Sequence, residues 1–371
     1  MRRYSVGRAE EGSKKYFYIL DREAYDMVML PTKFLKHKTD CRRSPNTVKR
    51  LAFSVCYYLE YLAEKEMQLQ SVWELDFEEQ TKHFMEFMYW IKEGNHREEK
   101  RPGVVDNGTC NAYLKDVFGF FSFLTDCIDA KPLRILSYSQ ITVANAVGVK
   151  RTLRTKNFKG YMREQERKVK SAEEAEILTV LQACTNARDQ LLILLMAETG
   201  FRIGEILGID YTKDIDYQNQ IIRVWFRDDN ENDARAKNAE YRKAKISSGT
   251  FDFLMYYLSE YRKLLQHQNY LFVTIWGNTA GQPLKVDSVY DMLGRMEKKT
   301  GIKLTPHMLR HYFANARWKA GWALELISQA LGHRHLNTTI TYLGVLDNKL
   351  MEASKAFYDK HSDVYGIQKL L

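Results

Sequence analysis

Five cysteines in 371 residues, Cys41, Cys56, Cys110, Cys127 and Cys184, include no CxxC pair and no zinc-finger spacing. An odd, scattered set fits reduced thiols rather than a disulfide framework. Long hydrophobic runs are also missing: the longest, Leu191–Ala197, is far too short to span a bilayer. The basic N-terminus has no apolar stretch behind it, which excludes a signal peptide and gives a cytoplasmic expectation with no membrane partner. There is no internal repeat, no low-complexity tract and no HExxH glutamate.

What remains is a chain able to build real cores, 45% hydrophobic and 28% charged, with a net charge of +9. Such an excess points to a polyanionic partner, nucleic acid ahead of an anionic membrane. The length suits two domains with extensions. Residues 1–43 read as a strand-containing extension or arm. Residues 44–149 read as a helical domain: Ser44-Pro45-Asn46-Thr47 supplies caps, and Val48, Leu51, Val55, Leu59 and Leu62 recur at helical spacing. Further helices are expected over Phe77–Ile91 and Thr109–Thr125. Tyr113, Val117, Phe120, Phe121 and Leu124 in the latter fit a core better than a base-stacking surface. Residues 150–170 carry nine Lys or Arg against Glu164 and Glu166, and read as a basic linker that could cross a phosphate backbone.

A second domain, 171–346, is expected to open on a capping box, Ser171 to Glu174, and to be mostly helical. Ile221–Phe226 and Tyr241–Ile246 read as strands on either side of a polar loop. The fold class is therefore mainly α with a small antiparallel β-sheet. A tail, 347–371, carries apolar residues such as Phe357 and Leu370 that suit packing on its own chain or on a neighbouring protomer.

Four local patterns then follow in order. Thr199-Gly200-Phe201-Arg202 is followed by Glu205. Lys237 lies in the loop between the two strands, with Lys243 and Lys245 as alternatives. His307-Met308-Leu309-Arg310-His311 places His307 and Arg310 on one helical face. Leu331-Gly332-His333 precedes Tyr342 by nine positions. Together these resemble the tyrosine recombinases, or phage-type integrases, over Ser171–Tyr342, and more weakly over the helical segment that resembles their core-binding domain. The long N-terminus and 23 tyrosines look more like integrases and transposases of mobile elements, including the transposase A type of bacterial transposons.

The resemblance implies a mixed α/β catalytic domain with Arg202, Lys237, His307, Arg310, His333 and Tyr342 as its site. It also implies cleavage through a 3′-phosphotyrosine without cofactor or metal. Expected partners are double-stranded DNA recombination sites, three further copies in a tetramer on DNA, and accessory recombination proteins, in a bacterial nucleoid. The residue types suit that chemistry. Two arginines can hold the non-bridging oxygens as charge builds. His307 can assist proton removal from Tyr342, His333 can hydrogen-bond the phosphate, and Lys237 can protonate the leaving 5′ oxygen. Glu205 would orient its neighbours. His307 and His311 also have metal-ligand spacing, so a histidine-metal hydrolase and a non-cutting DNA-binding protein stand as alternatives.

Overall fold

The computed structural model describes residues 2–12, 14–98, 103–128, 130–144, 150–156, 158–164, 170–225, 227, 230, 232, 234, 241–333, 336 and 338–339. The chain divides into two compact units, Met1–Glu166 and Arg167–Leu371.

The first unit opens with an antiparallel sheet of β1 (Tyr4–Glu11), β2 (Lys14–Asp21) and β3 (Asp26–Met27), followed by α1 (Met29–Asp40). α2 (Pro45–Glu64) starts as expected: Ser44 accepts a hydrogen bond from the Thr47 amide at 3.2 Å and Pro45 takes the first turn, where no amide partner is needed. α3 (Phe77–Lys92) begins with a reciprocal capping box between Asp76 and Glu79. α4 (Asn107–Ile128) lies against α2 and α3. The apolar faces of these helices meet in an aromatic core that includes Tyr58, Tyr61, Phe84, Phe87, Phe120 and Phe121. Tyr113, on the same helix as Phe120, stays only partly buried.

Two expectations change here. The first 43 residues are not a separate arm: Phe17, Ile19, Phe34 and Leu35 are buried in the same core as Val48 and Val55. Alternating apolar residues on a strand bury one face wherever a partner covers it, and α1 and α2 do so. The basic stretch from Lys150 is not simply a linker. Lys150–Lys156 forms β5, paired antiparallel with β4 (Tyr138–Ala144). Phe158 then enters the core, and Asn111 of α4 fixes the following backbone through the Met162 carbonyl at 2.8 Å and its amide at 3.0 Å.

In the second unit, α5 (Glu174–Ala183) is capped by Glu173 paired with Glu176, not by Ser171, whose hydroxyl donates to the Ala172 carbonyl instead. α6 (Ala187–Thr199) is a buried helix carrying Leu191, Leu192, Ile193, Leu195 and Met196. α7 (Ile203–Leu207) follows. A three-stranded antiparallel sheet of β6 (Ile215–Asp216), β7 (Ile221–Val224) and β8 (Arg242–Lys245) comes next. The helical segment after β8 is broken at Tyr261 into α8 (Ser248–Glu260) and α9 (Arg262–Leu265). α10 (Val286–Thr300), α11 (Pro306–Lys319) and α12 (Leu324–Leu331) complete the described elements. No helix among the described residues is long and apolar enough to cross a membrane.

Candidate active site

Three helix ends build the site in the second unit. α6 stops at Gly200, whose φ of 64° is left-handed. A Cβ there would lie 2.5 Å from the Phe313 ring of α11, so only glycine allows both the turn and the packing. The chain leaves this turn extended through Arg202, immediately before α7. α11 starts at Thr305, whose hydroxyl accepts from the Met308 amide at 3.2 Å, and Pro306 fills the first turn. α12 ends at Gly332, again left-handed with φ 62°.

Arg310 points from α11 into the gap between the other two ends. Its guanidinium donates to the Gly200 carbonyl at 2.7 Å and to the Leu331 carbonyl at 2.5 Å, and it is 4% exposed. These bonds tie the last carbonyls of two helices, which carry partial negative charge, to a fixed cation. The same guanidinium lies 3.3 Å from His333 Nε2. Arginine can only donate, so Nε2 accepts and the neutral ring carries its proton on Nδ1, which faces Thr339 Oγ1 at 2.8 Å. Burial, then Arg310, Arg202 and Arg242, push the His333 pKa down to about 4.

Glu205 is the anionic centre. Its carboxylate accepts from the Arg202 backbone amide at 2.7 Å and from the Arg202 guanidinium at 3.0 Å, and it pairs with Arg242 of β8. The Glu205 side chain is 2% exposed and that of Arg202 24%, so Arg202 reaches the surface from a buried anchor. Arg242 also donates to the Ala330 carbonyl at 3.1 Å and lies over the Phe201 ring. It passes so near Gly332 that a Cβ there would be 2.8 Å from its side chain. Strand alternation turns Lys243 and Lys245 to the face opposite Arg242, and both are exposed. His307 is exposed on the first turn of α11, with its ring perpendicular to that of buried His311 at 4.8 Å. Burial and the neighbouring cations lower the His311 pKa to about 4.

Arg202, Arg310 and His333 are thus drawn together, with His307 one turn from Arg310. Lys237 and Tyr342 lie outside the described residues. Sequence spacing gave no place in the site to Arg242 or Thr339. Arg242 could have been found from the alternation of β8, which sends it to the inner face with Val224, its cross-strand partner. Among the described residues no group of three His, Cys, Asp or Glu side chains is arranged to hold a metal ion.

A small helical unit, and a second unit in which arginines and histidines converge beside exposed basic strands, define a class of enzyme that handles phosphodiesters. Residues 167–349 match the phage integrase family. Transposase A from transposon Tn554 of Staphylococcus aureus is 28% identical over 382 residues, covering 96% of this chain and 98% of that protein. Tyrosine recombinase XerA of Saccharolobus solfataricus is 34% identical over 199 residues, 53% of this chain and 60% of that one. Among solved structures, the fold is similar to XerH recombinase bound to palindromic difH substrate in a post-cleavage complex, with TM-score 0.59, 19% identity, and coverage of 86% and 82%. It is also similar to the Tn1549 transposon integrase in complex with transposon right end DNA, with TM-score 0.58, 18% identity, and coverage of 89% and 98%. Residues 167–349 thus form a phage integrase domain, and the matches support a tyrosine recombinase, the class of enzymes that cleaves DNA strands and rejoins them through a phosphotyrosine intermediate.

Proposed function

We propose that this chain is the strand-transfer enzyme of a mobile element and that Tyr342 is its nucleophile. The similarity to a transposon-borne transposase along almost the whole chain supports the element, and the convergence of Arg202, Arg310 and His333 supports the site. In this reading Arg202 and Arg310 hold the non-bridging oxygens of the scissile phosphate. The Tyr342 oxygen attacks phosphorus as the bond to the 5′ oxygen breaks. His307 takes the phenol proton, and Lys237 gives a proton to the departing 5′ oxygen. A 5′-hydroxyl from a partner strand then attacks the phosphotyrosine and restores the phenol, so the bond energy is kept. His333 braces Arg310 from the acceptor side before DNA binds, and it becomes a phosphate ligand when the phosphate takes over the Arg310 guanidinium and the ring carries its proton on Nε2.

Joining two duplexes requires four strand cuts, and one nucleophile per chain makes the working assembly a tetramer on two DNA sites. The observation that carries the reading is the pair of arginines, Arg310 fixed by two helix-end carbonyls and Arg202 by Glu205, with a neutral His333 bonded to Arg310. The test is a nicked suicide substrate built from the element's ends, incubated without added metal. A denaturation-resistant protein–DNA adduct is expected, unaffected by chelator and absent in Tyr342→Phe. An adduct in that variant would move the nucleophile elsewhere. A gel shift without adduct would favour a binding protein, and loss with chelator a metal-dependent hydrolase.

A further inference from the structure

A cavity of about 640 Å³ opens in the first unit between β1, α2, α4 and the turn that follows α3. Its size lies in the range of roughly 300–1,000 Å³ usual for small-ligand sites. One wall is a box of three rings that touch pairwise: Tyr57 and His96 at 5.0 Å, Tyr57 and Tyr113 at 5.6 Å, His96 and Tyr113 at 6.0 Å. Tyr113 is the residue of the α4 aromatic stripe that the core only partly buries.

The rest of the lining is cationic. Arg2, Arg22 and Arg97 border the cavity against a single carboxylate, Glu98. Among the described residues none of the three arginines is ion-paired with a carboxylate. The Arg2 guanidinium lies over the Tyr57 ring at 5.7 Å. His96 adds a third observation. It is 5% exposed and lines the cavity, and its buried Nδ1 makes no well-formed hydrogen bond among the described residues, the Ile91 carbonyl being a backbone acceptor that its ring approaches. A polar ring edge so weakly satisfied gains from a hydrogen bond to a ligand in the cavity. Burial, then Arg97 and Arg2, push its pKa down to about 4, so the ring is neutral near pH 7.

These features select an occupant. An aromatic box alone would suit an organic cation. Three guanidiniums at its border repel one and favour an anion. A simple oxyanion, however, would leave the rings and the His96 nitrogen unused. A flat, anionic molecule with polar atoms on its ring edge uses all three. We propose that the cavity binds one nucleotide, its phosphate on the arginines, its base unstacked against Tyr57 and Tyr113, and the base edge hydrogen-bonded to His96. The source is either a free mononucleotide or a nucleotide drawn out of a DNA strand. Base-on-aromatic stacking is tolerant of sequence, so this site would hold a strand rather than read it. The site lies wholly in the first unit and does not depend on Tyr342 being the nucleophile.

The test uses the full chain carrying Tyr342→Phe, so that no readout requires cleavage. It is titrated with 2-aminopurine deoxyriboside 5′-monophosphate and, separately, with a single-stranded oligonucleotide carrying one 2-aminopurine. Stacking quenches the fluorophore. Saturable quenching is expected in at least one arm, and the arm that responds identifies the source. Adding Arg22→Ala and Arg97→Ala, both at solvent-accessible positions, should weaken it at least tenfold. Adding His96→Phe, which keeps the ring wall, should weaken it several-fold. No quenching in either arm overturns the proposal, as does quenching unchanged in the arginine variant. Competition by inorganic phosphate as potent as that by the nucleotide would reduce the site to an anion site and also overturn it.

Discussion

Glu205 holds three donors at once: the Arg202 amide, the Arg202 guanidinium and the Arg242 guanidinium. Sequence spacing assigned it an orienting role, and the geometry gives that role a mechanism. Two cations that would repel each other are locked by one buried anion, and one of them is left facing outward where a phosphate can reach it. Glu205→Gln keeps the shape and one acceptor but removes the charge. Breaking a buried pair by neutralising one partner costs about 3–5 kcal/mol, because the other charge stays buried without compensation. The denaturation midpoint of this variant should fall accordingly, and adduct formation on a suicide substrate should slow by a hundredfold or more if Arg202 loses its aim. An unchanged midpoint would show that Arg202 and Arg242 are held by something other than Glu205.

At the scale of elements, Gly200 and Gly332 end α6 and α12 in left-handed turns, and the Arg310 guanidinium is bonded to the Gly200 carbonyl and to the Leu331 carbonyl just before Gly332. Gly332→Ala faces a left-handed backbone penalty of about 1–2 kcal/mol. It also faces a methyl placed against the Arg242 side chain. The variant should lose at least that much stability in urea titration and lower the rate of adduct formation more than DNA affinity, since it shifts Arg242 and His333 rather than a binding surface. Equal loss in both would contradict the positioning role. The first long helix was legible because Val48, Leu51, Val55, Leu59 and Leu62 keep a helical period and Ser44 is a strong cap. Arg202, Arg310 and His333 were legible because the patterns around them, Thr199 to Glu205, His307 to His311 and Leu331 to His333, resemble in order and spacing those of the tyrosine recombinases. The incorporation of Phe17 and Ile19 into the main core was not, since a short strand shows its apolar face but not what covers it. Nor was β5, whose run of lysines and arginines hides strand pairing behind a pattern that resembles a solvated linker. Arg242 was missed because a lone arginine on a strand looks like any surface cation until its partner, far away in sequence, is known.

For the whole molecule, pH and salt act on different parts. His83 and His96 in the first unit, and His311 and His333 in the second, are all held at about 4, chiefly by burial. Their ordinary value is about 6.5, so the unfolded chain binds protons that the folded chain refuses. Their contribution to stability is complete above about pH 6.5 and falls progressively as the pH drops towards 4. Urea midpoints measured between pH 7.5 and 4.5 should decline over that window, and a flat profile would mean these rings are more solvated than their burial indicates. In the folded protein His333 becomes protonated only as the pH approaches 4, where it can no longer accept from Arg310 and the site should lose its geometry. Salt acts instead on the surface, where an excess of nine positive charges has to be reconciled with folding. Buried arginines such as Arg242 and Arg310 are satisfied by Glu205 or by helix carbonyls. The exposed ones, among them Lys243 and Lys245 on β8, have no such constraint and are available to DNA phosphates. Each phosphate they neutralise releases condensed counterions, so the logarithm of affinity should fall linearly with the logarithm of salt concentration. With about six to ten such contacts, affinity should drop about 10³- to 10⁵-fold between 50 and 200 mM salt. Replacing Lys243 and Lys245 by alanine should reduce that slope by up to about two, while Glu205→Gln, buried and away from any phosphate, should change the intercept more than the slope. Anisotropy titrations of labelled duplex at several salt concentrations separate the two. A slope that does not respond to the exposed lysines would place the DNA contacts elsewhere on the chain.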